Sequence, residues 1–299
     1  MLIDLFLDYL RTERNYSNHT IVGYGTDLKE FQMFFTGMDK ELEWETVDSD
    51  IVRQWVMSLM STEKNGLHMQ SSSVNRKLSS LRAFYRFLLV RGYVKMNPVS
   101  KVKGPKRGKP LPFFLRESEM DKLLDQVEFT EDFMGCRDKM ILEMFYSTGM
   151  RLSELIGLND VDVDFSASWI KVTGKRNKQR LIPFGDELRE ALLIYIKVRN
   201  ETLPVRMSNA FFIRKNGDRL YPALVYNLVR KNLSKVTALK KRSPHVLRHT
   251  FATSMLNHSA ELGAVKELLG HDSLATTEIY THTTFEELKQ IYKQAHPRA

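Results

Sequence analysis

The chain has few of the features that secreted and membrane proteins need. Cys136 is its only cysteine, so no disulfide can form within the chain, and a disulfide-stapled secreted scaffold is excluded. The first eight residues are mostly apolar, but Asp4 and Asp8 interrupt them and no basic segment precedes them, which is not typical of an export signal. No later apolar run approaches the length that spans a bilayer. We therefore expect a cytoplasmic protein with no membrane partner.

Acidic residues are missing from the middle of the chain. Residues 64–116, here called the basic band, contain thirteen Lys and Arg and no Asp or Glu. Residues 1–63 contain five Lys and Arg against twelve Asp and Glu, a balance of −7, although the whole chain carries +9. Solvated surfaces usually mix both signs, so a band of one sign indicates a polyanionic partner. Nucleic acid is favoured over an acidic membrane because no amphipathic anchor accompanies the band.

Apolar residues recur at helical spacing in four segments of the first hundred residues, which predicts a small helical bundle. The segments begin near Leu2, Ile21, Ile51 and Ser73. The fourth segment carries four basic residues that we place off its apolar stripe, where a helix could lie along DNA phosphates. These residues are Arg76, Lys77, Arg82 and Arg86. A merely solvated helix face is the alternative interpretation.

A proline-rich stretch follows the predicted bundle. Residues 97–112 hold four prolines, two glycines and five cations, with almost nothing to bury. This composition is typical of a stiffened linker, and its Lys106 and Arg107 are candidate DNA contacts. We predict a helical domain over 1–99, a basic linker over 100–112 and a second domain over 113–299.

The second domain is predicted to be mostly α with a small antiparallel sheet. Residues 169–173 and 180–184 alternate as two strands of a hairpin, and helical patterns precede and follow them. The hairpin tip carries Lys175, followed by Arg176, Lys178 and Arg180. Such a tip could reach into a groove and place an ammonium beside a leaving oxygen. A solvated turn explains the same residues equally well.

Three further segments place a cation or a nucleophile where local structure would expose it. Arg151 follows a helix-breaking glycine, and its alternative interpretation is a surface arginine paired with Glu154. His245 and Arg248 lie three residues apart at a helix start, so they share one face. The last segment holds His271 just after Gly270, with Tyr280 nine residues later.

The order Arg, Lys, His-x-x-Arg, Leu-Gly-His and Tyr resembles the tyrosine recombinase (phage-integrase-like) family, and within it the bacterial XerC/XerD type. The similarity covers essentially the whole chain. It implies an active site made of six residues, with Tyr280 as the nucleophile: Arg151, Lys175, His245, Arg248, His271 and Tyr280. The chain departs from the pattern at Ser254, where histidine is common, and at Met150, where leucine is common.

The resemblance implies a site-specific recombinase that cuts and rejoins duplex DNA through a 3′-phosphotyrosine and a Holliday junction. The DNA would carry an inverted-repeat site, and the enzyme would act as a tetramer with itself or with a second Xer-like recombinase. Resolution of chromosome dimers at a dif-like site during cell division is the implied role, with a cell-division DNA translocase as a further partner. Neither a cofactor nor a metal is expected. Alternating acids at Asp160, Asp162 and Asp164 are more typical of a polar strand edge than of a metal site.

Other functions fit parts of the sequence. The integrase or resolvase of a mobile element would share the chemistry, and so would a type IB topoisomerase-like or nuclease-like enzyme. A non-catalytic DNA-binding regulator would explain the cations but not the full set of site residues. Beyond Tyr280, an apolar stripe has no obvious remaining core to cover: Phe285, Leu288, Ile291 and Tyr292. The resemblance implies that this tail docks on a neighbouring protomer, and packing on its own domain is the alternative.

Overall fold

A computed structural model describes residues 1–64, 67–106, 108, 113–174, 177–206, 208–270 and 285–299. The chain divides into two compact units, Met1–Pro110 and Leu111–Ala299, called here the N-terminal and C-terminal units. The division falls inside the predicted linker. None of the helices in the described ranges combines the length and apolar character needed to cross a bilayer.

The N-terminal unit contains four α-helices and one short hairpin among its described residues. The helices are α1 (Leu2–Thr12), α2 (Asn18–Met38), α3 (Ser49–Ser61) and α4 (Ser71–Val90), and the antiparallel strands are β1 (Glu63–Lys64) and β2 (Leu67–His68). The Asp48 carboxylate accepts the N–H groups of Asp50 and Ile51, both at 2.9 Å, and so caps α3. The predicted helical bundle is confirmed. The two-residue strands are too short to give an alternating pattern.

The core of the N-terminal unit is aromatic. Phe31 is fully buried and contacts the rings of Trp44 and Trp55, with centroids 5.9 and 4.8 Å away. Phe84 from α4 lies edge to face with Trp44 at 4.7 Å and with Phe6 of α1 at 5.3 Å. Such pairs add to the stability that apolar burial already gives. They hold α4, which carries the predicted DNA-binding residues, against the other three helices.

A buried ionic cluster joins α2 to α4. The Asp27 carboxylate is 1% exposed and accepts hydrogen bonds from Arg76 at 2.5 and 2.7 Å and from Ser80 at 2.7 Å. Lys77, 7% exposed, lies 3.4 Å from Asp27 and also pairs with Glu30. The expectation that Lys77 lies away from the buried face is therefore wrong. Its ammonium is buried because two carboxylates of α2 replace the water it loses.

The first half of the proline-rich stretch, residues 97–105, packs on the helices of the N-terminal unit. Val99 and Val102 are both buried in its core. Arg82 donates to the Val102 carbonyl at 2.6 Å, and Asn75 donates to the Pro105 carbonyl at 2.8 Å. The expectation that this stretch has almost nothing to bury is wrong for these residues. The backbone as far as Pro105 is thus hydrogen-bonded to α4.

The C-terminal unit surrounds a small sheet with helices. Its helices are α5 (Glu117–Asp121), α6 (Phe133–Thr148), α7 (Leu152–Gly157), α8 (Asp186–Thr202), α9 (Pro222–Val236), α10 (Pro244–Asn257), α11 (Leu262–Leu269) and α12 (Phe285–Ala295), with a π-helical turn over Lys122–Gln126 and a 3-10 turn over Asp160–Asp162. Its strands are β3 (Val163–Asp164), β4 (Trp169–Thr173) and β5 (Gln179–Pro183). They form one antiparallel sheet in the order β3-β4-β5, with Val172 opposite Arg180. The predicted hairpin and the mainly α fold class are confirmed.

Helix α6 is the centre of this unit, and it packs against α8 and α10. Residues 140–148 are buried without interruption. Such a helix shows no amphipathic stripe, because neighbouring elements cover it all round. Its C-terminal end at Gly149 is fixed by this packing, and the chain continues directly to Arg151.

The apolar stripe of the C-terminal tail is packed within its own unit. Leu288 and Tyr292 of α12 are buried beside α10 and α11. The ring of His296, also buried, stacks on Tyr292 with centroids 5.0 Å apart, and Arg298 donates to Glu187 at 2.8 Å. The expectation that the stripe has no core left to cover is therefore wrong. Own-domain packing, the alternative interpretation, describes this structure.

We predict that Asp27→Asn lowers the free energy of unfolding of the N-terminal unit by about 3 kcal/mol, because the buried ammonium of Lys77 then keeps Glu30 as its one carboxylate partner of the two. Asp8→Asn is the matched control, since Asp8 pairs with Arg11 on the surface and should cost less than about 1 kcal/mol. Urea unfolding followed by tryptophan fluorescence measures both, because Trp44 and Trp55 lie in this unit. Equal losses in the two variants would contradict the structural role of the cluster.

Candidate active site

The structure describes three of the six predicted catalytic residues and brings them together in the C-terminal unit. Arg151 directly precedes α7, whereas His245 and Arg248 lie in the first turns of α10. The other three catalytic residues, and two of the predicted DNA contacts, lie outside the described residues: Lys175, His271, Tyr280, Arg107 and Arg176. For these five the assignment remains a prediction.

Arg151 is paired with Glu154, as the alternative interpretation of the sequence proposes. Its Nη1 donates to Glu154 Oε1 at 2.8 Å, and its backbone N–H donates to Glu154 Oε2 at 2.7 Å. The second bond is one half of a capping box, in which the side chain three residues into the helix binds the residue before it. The Arg151 Nη2 donates to the Gly270 carbonyl at 2.8 Å. Arg151 is thus an ion-pair partner and also a link to the segment that leads to His271.

Arg248 is a buried arginine that joins two helix ends. Its side chain donates from Nη1 to the Gly149 carbonyl and from Nη2 to the Leu269 carbonyl, each at 2.6 Å. Gly149 ends α6 and Gly270 ends α11, with φ of 58° and 63°, the left-handed region that glycine adopts without strain. A guanidinium has five N–H donors, and these two bonds use two of them.

The carboxyl end of α11 accepts one hydrogen bond from each of three arginines. Arg180 Nε donates to the Leu268 carbonyl at 2.7 Å, Arg248 to that of Leu269, and Arg151 to that of Gly270. The last carbonyls of a helix have no partner within it and carry the negative end of its dipole, so they attract cations. Three successive carbonyls therefore hold three guanidinium groups close together, immediately before His271 in the chain.

Glu154 is the carboxylate that binds two of these arginines, Arg151 and Arg180. Arg180 binds it with both terminal nitrogens, Nη1 to Oε1 at 2.8 Å and Nη2 to Oε2 at 2.9 Å. Burial alone would raise the pKa of Glu154, but the hydrogen bonds and charge of Arg180, followed by those of Arg151, lower this pKa to about 2. Glu154 is therefore ionised across the physiological pH range. Three guanidinium groups and one carboxylate leave a net local charge of +2.

The titration of His245 and Arg248 suits them to different tasks. Partial burial, with the nearby His249, Arg248 and Arg151, lowers the pKa of His245 below its usual value. Its imidazole is then neutral at pH 7 and can accept a proton. Burial and the charges of Arg151 and Arg180 lower the pKa of Arg248 to about 10, which still leaves it protonated at pH 7. The site thus combines fixed positive charge with one neutral base.

A cleft of about 330 Å³ opens beside this cluster. Its lining includes three basic residues and one acid, and consists of Arg151, Gly174, Lys178, Gln179, Arg180, Glu267 and Gly270. A phosphodiester carries one negative charge, and an in-line displacement gathers more on its equatorial oxygens. Fixed cations beside the reacting phosphorus lower the energy of that transition state because they need no reorganisation.

Sequence reasoning missed the roles of Glu154 and Arg180. Arg180 was grouped with the hairpin cations expected to reach into a groove, but it faces Glu154 and α11 and is 14% exposed. Glu154 was treated only as a surface partner of Arg151, although its position three residues after Arg151 is a capping-box signal. No sequence signal pairs Arg180 with Glu154, because the two residues are 26 positions apart.

The remaining predicted DNA contacts are distributed over both units. Arg86 and Lys106 are exposed in the N-terminal unit, Arg82 is half-buried beside Val102, and Lys178 is exposed beside the cleft. In the described parts of the chain, no group of three His, Cys, Asp or Glu side chains could hold a metal ion. The acids that alternate before β4 have other partners. Asp160 binds Arg199 at 2.7 Å and Arg206 at 2.8 Å.

Comparison with known families agrees with this geometry. The model of the phage integrase family matches residues 114–287, which is more than half of the chain. The model of the phage integrase N-terminal SAM-like domain matches residues 3–92. The two matches together span the N-terminal and C-terminal units.

Curated relatives are similar over almost their full length. The chain is 38% identical to the tyrosine recombinase XerC of Chlorobaculum tepidum, with 98% of this chain and 94% of the relative covered. It is 40% identical to the tyrosine recombinase XerC of Azotobacter vinelandii, with 99% and 96% covered. Identity at this level over whole chains indicates a shared fold.

Solved structures share the fold. The XerH site-specific recombinase bound to a palindromic difH substrate, in a post-cleavage complex, aligns with a TM-score of 0.74 at 22% identity, covering 93% of this chain and 80% of that one. The integrase of the Tn1549 transposon in complex with circular intermediate DNA aligns with a TM-score of 0.68 at 24% identity, covering 97% and 98%. These likenesses lie in the arrangement of the helices and strands, and they show the fold alone.

We predict that Gly149→Ala lowers the free energy of unfolding of the C-terminal unit by about 2 kcal/mol or more, because an added Cβ is strained at a φ of 58° and overlaps the Phe251 ring. Gly157→Ala is the matched control, since nothing lies within 4 Å of a Cβ at that position. Urea unfolding followed by far-ultraviolet circular dichroism compares the two variants. A loss at Gly157 as large as that at Gly149 would contradict the assigned packing.

Proposed function

Because the chain belongs to the phage integrase family of tyrosine recombinases, we propose that it cuts and rejoins duplex DNA through a covalent 3′-phosphotyrosine at Tyr280. The observation that carries the proposal is the arginine cluster at the end of α11. Arg151 and Arg248 bind two successive carbonyls there, and His271 is the next residue in the chain. An active site for phosphoryl transfer needs such fixed cations around one phosphate.

The proposed cleavage step is a transfer of the phosphoryl group to Tyr280. The Tyr280 oxygen attacks phosphorus in line with the 5′ oxygen, the new phosphotyrosine bond forms and the bond to the 5′ oxygen breaks. Arg151 and Arg248 bind the non-bridging oxygens, and His271 donates a hydrogen bond to the same phosphate. The net charge of +2 around Glu154 stabilises the negative charge that this transition state gathers.

Two protons must move during cleavage. The Tyr280 hydroxyl loses one, and we assign its acceptor to His245, whose lowered pKa keeps the imidazole neutral before the step. The leaving 5′ oxygen gains one, and we assign its donor to Lys175. The phosphotyrosine ester retains the bond energy, so the 5′ hydroxyl of a partner strand can reverse the same steps without a nucleotide cofactor.

The biological role that we propose is resolution of chromosome dimers at a dif-like site in the cytoplasm. The curated relatives are named XerC, and the XerH structure contains a difH substrate. Strand exchange joins two duplexes, each cut on both strands, so four copies of the nucleophile are needed. A homotetramer or a heterotetramer with a second Xer-like recombinase supplies them, with a cell-division DNA translocase as a further partner. The integrase of a mobile element is the second candidate, supported by the likeness to the transposon integrase fold.

Incubation with nicked suicide substrates that carry candidate inverted repeats tests the chemistry. We predict a covalent protein–DNA adduct in excess EDTA and without nucleotide, because guanidinium and ammonium groups supply the positive charge that Mg²⁺ supplies in other enzymes. Tyr280→Phe is the control: it should bind the same DNA and form no adduct, since it lacks only the nucleophilic hydroxyl. An adduct formed by this variant, or a strict metal requirement for cleavage, would overturn the proposal.

We also predict that DNA binding depends steeply on salt, with the basic band as a main contributor. Neutralising Arg82, Arg86 and Lys106 to Gln should flatten the plot of log affinity against log salt by about 2 units or more, since each phosphate contact contributes about −0.9. Arg76 and Lys77 are left unchanged because they bind Asp27.

The matched control neutralises three exposed cations of residues 1–63, which are Lys29, Lys40 and Arg53. It should leave the slope within about 0.5 of the original. Fluorescence anisotropy with a labelled duplex at several salt concentrations gives each slope. An unchanged slope in the first triple variant would show that these cations form only a solvated face.

A further inference from the structure

We infer that Arg180 is a positioning residue of the recombination site, a role that rests on the proposed function and adds to it. Arg180 lines the cleft, but the role that we assign to it is to hold other residues of the site. It binds the two groups that hold the phosphate-binding residues in place, Glu154 and the last turn of α11. The inference is that this double contact sets the geometry of Arg151 and of the chain entering His271.

The first contact fixes Arg151 through a shared carboxylate. Each oxygen of Glu154 accepts one hydrogen bond from Arg151 and one from Arg180. A carboxylate bound on one side only could rotate about its terminal torsion, which is soft. The parallel bidentate bonds of Arg180 fix the plane of that carboxylate, and the direction of the Arg151 guanidinium follows from it.

The second contact fixes the end of α11. Arg180 Nε donates to the Leu268 carbonyl at 2.7 Å, two residues before Gly270. The Gly270 carbonyl in turn binds Arg151. Arg180 therefore closes a ring of contacts that runs from Glu154 to Arg151, to Gly270, along the end of α11 and back through Leu268. A shift in either contact therefore moves both Arg151 and the end of α11 that precedes His271.

The geometry of Arg180 also separates it from the substrate-binding arginines. Three of its five donors are bound to Glu154 and Leu268, whereas Arg151 and Arg248 each use two side-chain donors in this way. Its Cδ and guanidinium lie 3.1 to 3.3 Å from the position that a Cβ on Gly270 would take. Glycine at 270 is thus needed for this close approach as well as for its positive φ.

Arg180→Lys tests the inference, because lysine keeps the charge but cannot form the planar bidentate contact. Single-turnover cleavage of a nicked suicide substrate at saturating enzyme should slow by about 100-fold, the cost expected from a displacement of about 1 Å, with DNA affinity within about twofold of the unmodified protein. Arg206→Lys is the matched control. Arg206 also binds a carboxylate and a carbonyl in this unit, those of Asp160 and Ala210, and its variant should cleave normally.

Arg180→Lys could slow cleavage by displacing Arg151 or by displacing Lys175, which lies on the same hairpin. A substrate with sulfur in place of the leaving 5′ oxygen distinguishes these two causes. A thiolate leaves without protonation, so this substrate should relieve the defect of Lys175→Ala but not that of Arg180→Lys. The double variant Glu154→Gln, Arg180→Lys should be no slower than the slower of the two single variants, because both changes break the same contact.

Cleavage by Arg180→Lys at the original rate, or relief of its defect by the sulfur substrate, would overturn the inference while the proposed function stands. Absence of any adduct with the unmodified protein would overturn both. If Arg180→Lys does not fold, as judged by circular dichroism, the variant Glu154→Gln, Arg180→Gln replaces it, since it removes the two opposite charges together. The same slow cleavage with unchanged DNA affinity is then required.

Discussion

The candidate site depends on the hydrogen bonds that the last carbonyl groups of one helix, α11, accept. The last carbonyls of α11 have no partner within the helix, and three arginines supply one hydrogen bond to each of Leu268, Leu269 and Gly270. Three guanidinium groups would repel one another at such short range. The helix dipole and the ionised Glu154 offset that repulsion. The same contacts that complete the helix therefore assemble the positive charge that phosphate chemistry needs.

This arrangement ties catalysis to the core of the C-terminal unit. Arg248 comes from α10, Arg151 follows α6, and Arg180 lies on β5, so the site forms only when these elements are packed around α6. Gly149 and Gly270 allow the turns that bring the two helix ends within reach of one arginine. The stability of the C-terminal unit and the activity of the site therefore depend on the same packing.

The N-terminal unit uses charge in a different way. Two of the four cations on α4 neutralise carboxylates of α2, and Arg82 holds the chain that leaves the unit. The basic band is therefore partly structural. Its exposed members, including Arg86 and Lys106, remain the ones suited to long-range attraction of DNA, because their charge is not offset by a buried carboxylate. A net charge counted along the sequence overstates what the surface presents.

Much of this protein follows from the sequence by itself. Helices α1 to α4, the hairpin of β4 and β5, and the start of α10 at Pro244 are local patterns, and local patterns arise from contacts between residues close in the chain. The ordered motif around Arg151, His245 and Arg248 likewise identified the family. The charge of the basic band could be read directly.

Only the tertiary structure decided which charged groups face each other. Asp27 and Arg76 are 49 residues apart, and Arg180 and the Leu268 carbonyl are 88 apart; no periodicity records such pairs. The same holds for the C-terminal tail, whose apolar stripe fitted a neighbouring protomer or its own unit until α12 was found beside α10 and α11. A cation in a sequence has a charge but no partner. Its partner, and therefore its role, is set when burial removes water and a carboxylate or carbonyl must replace it.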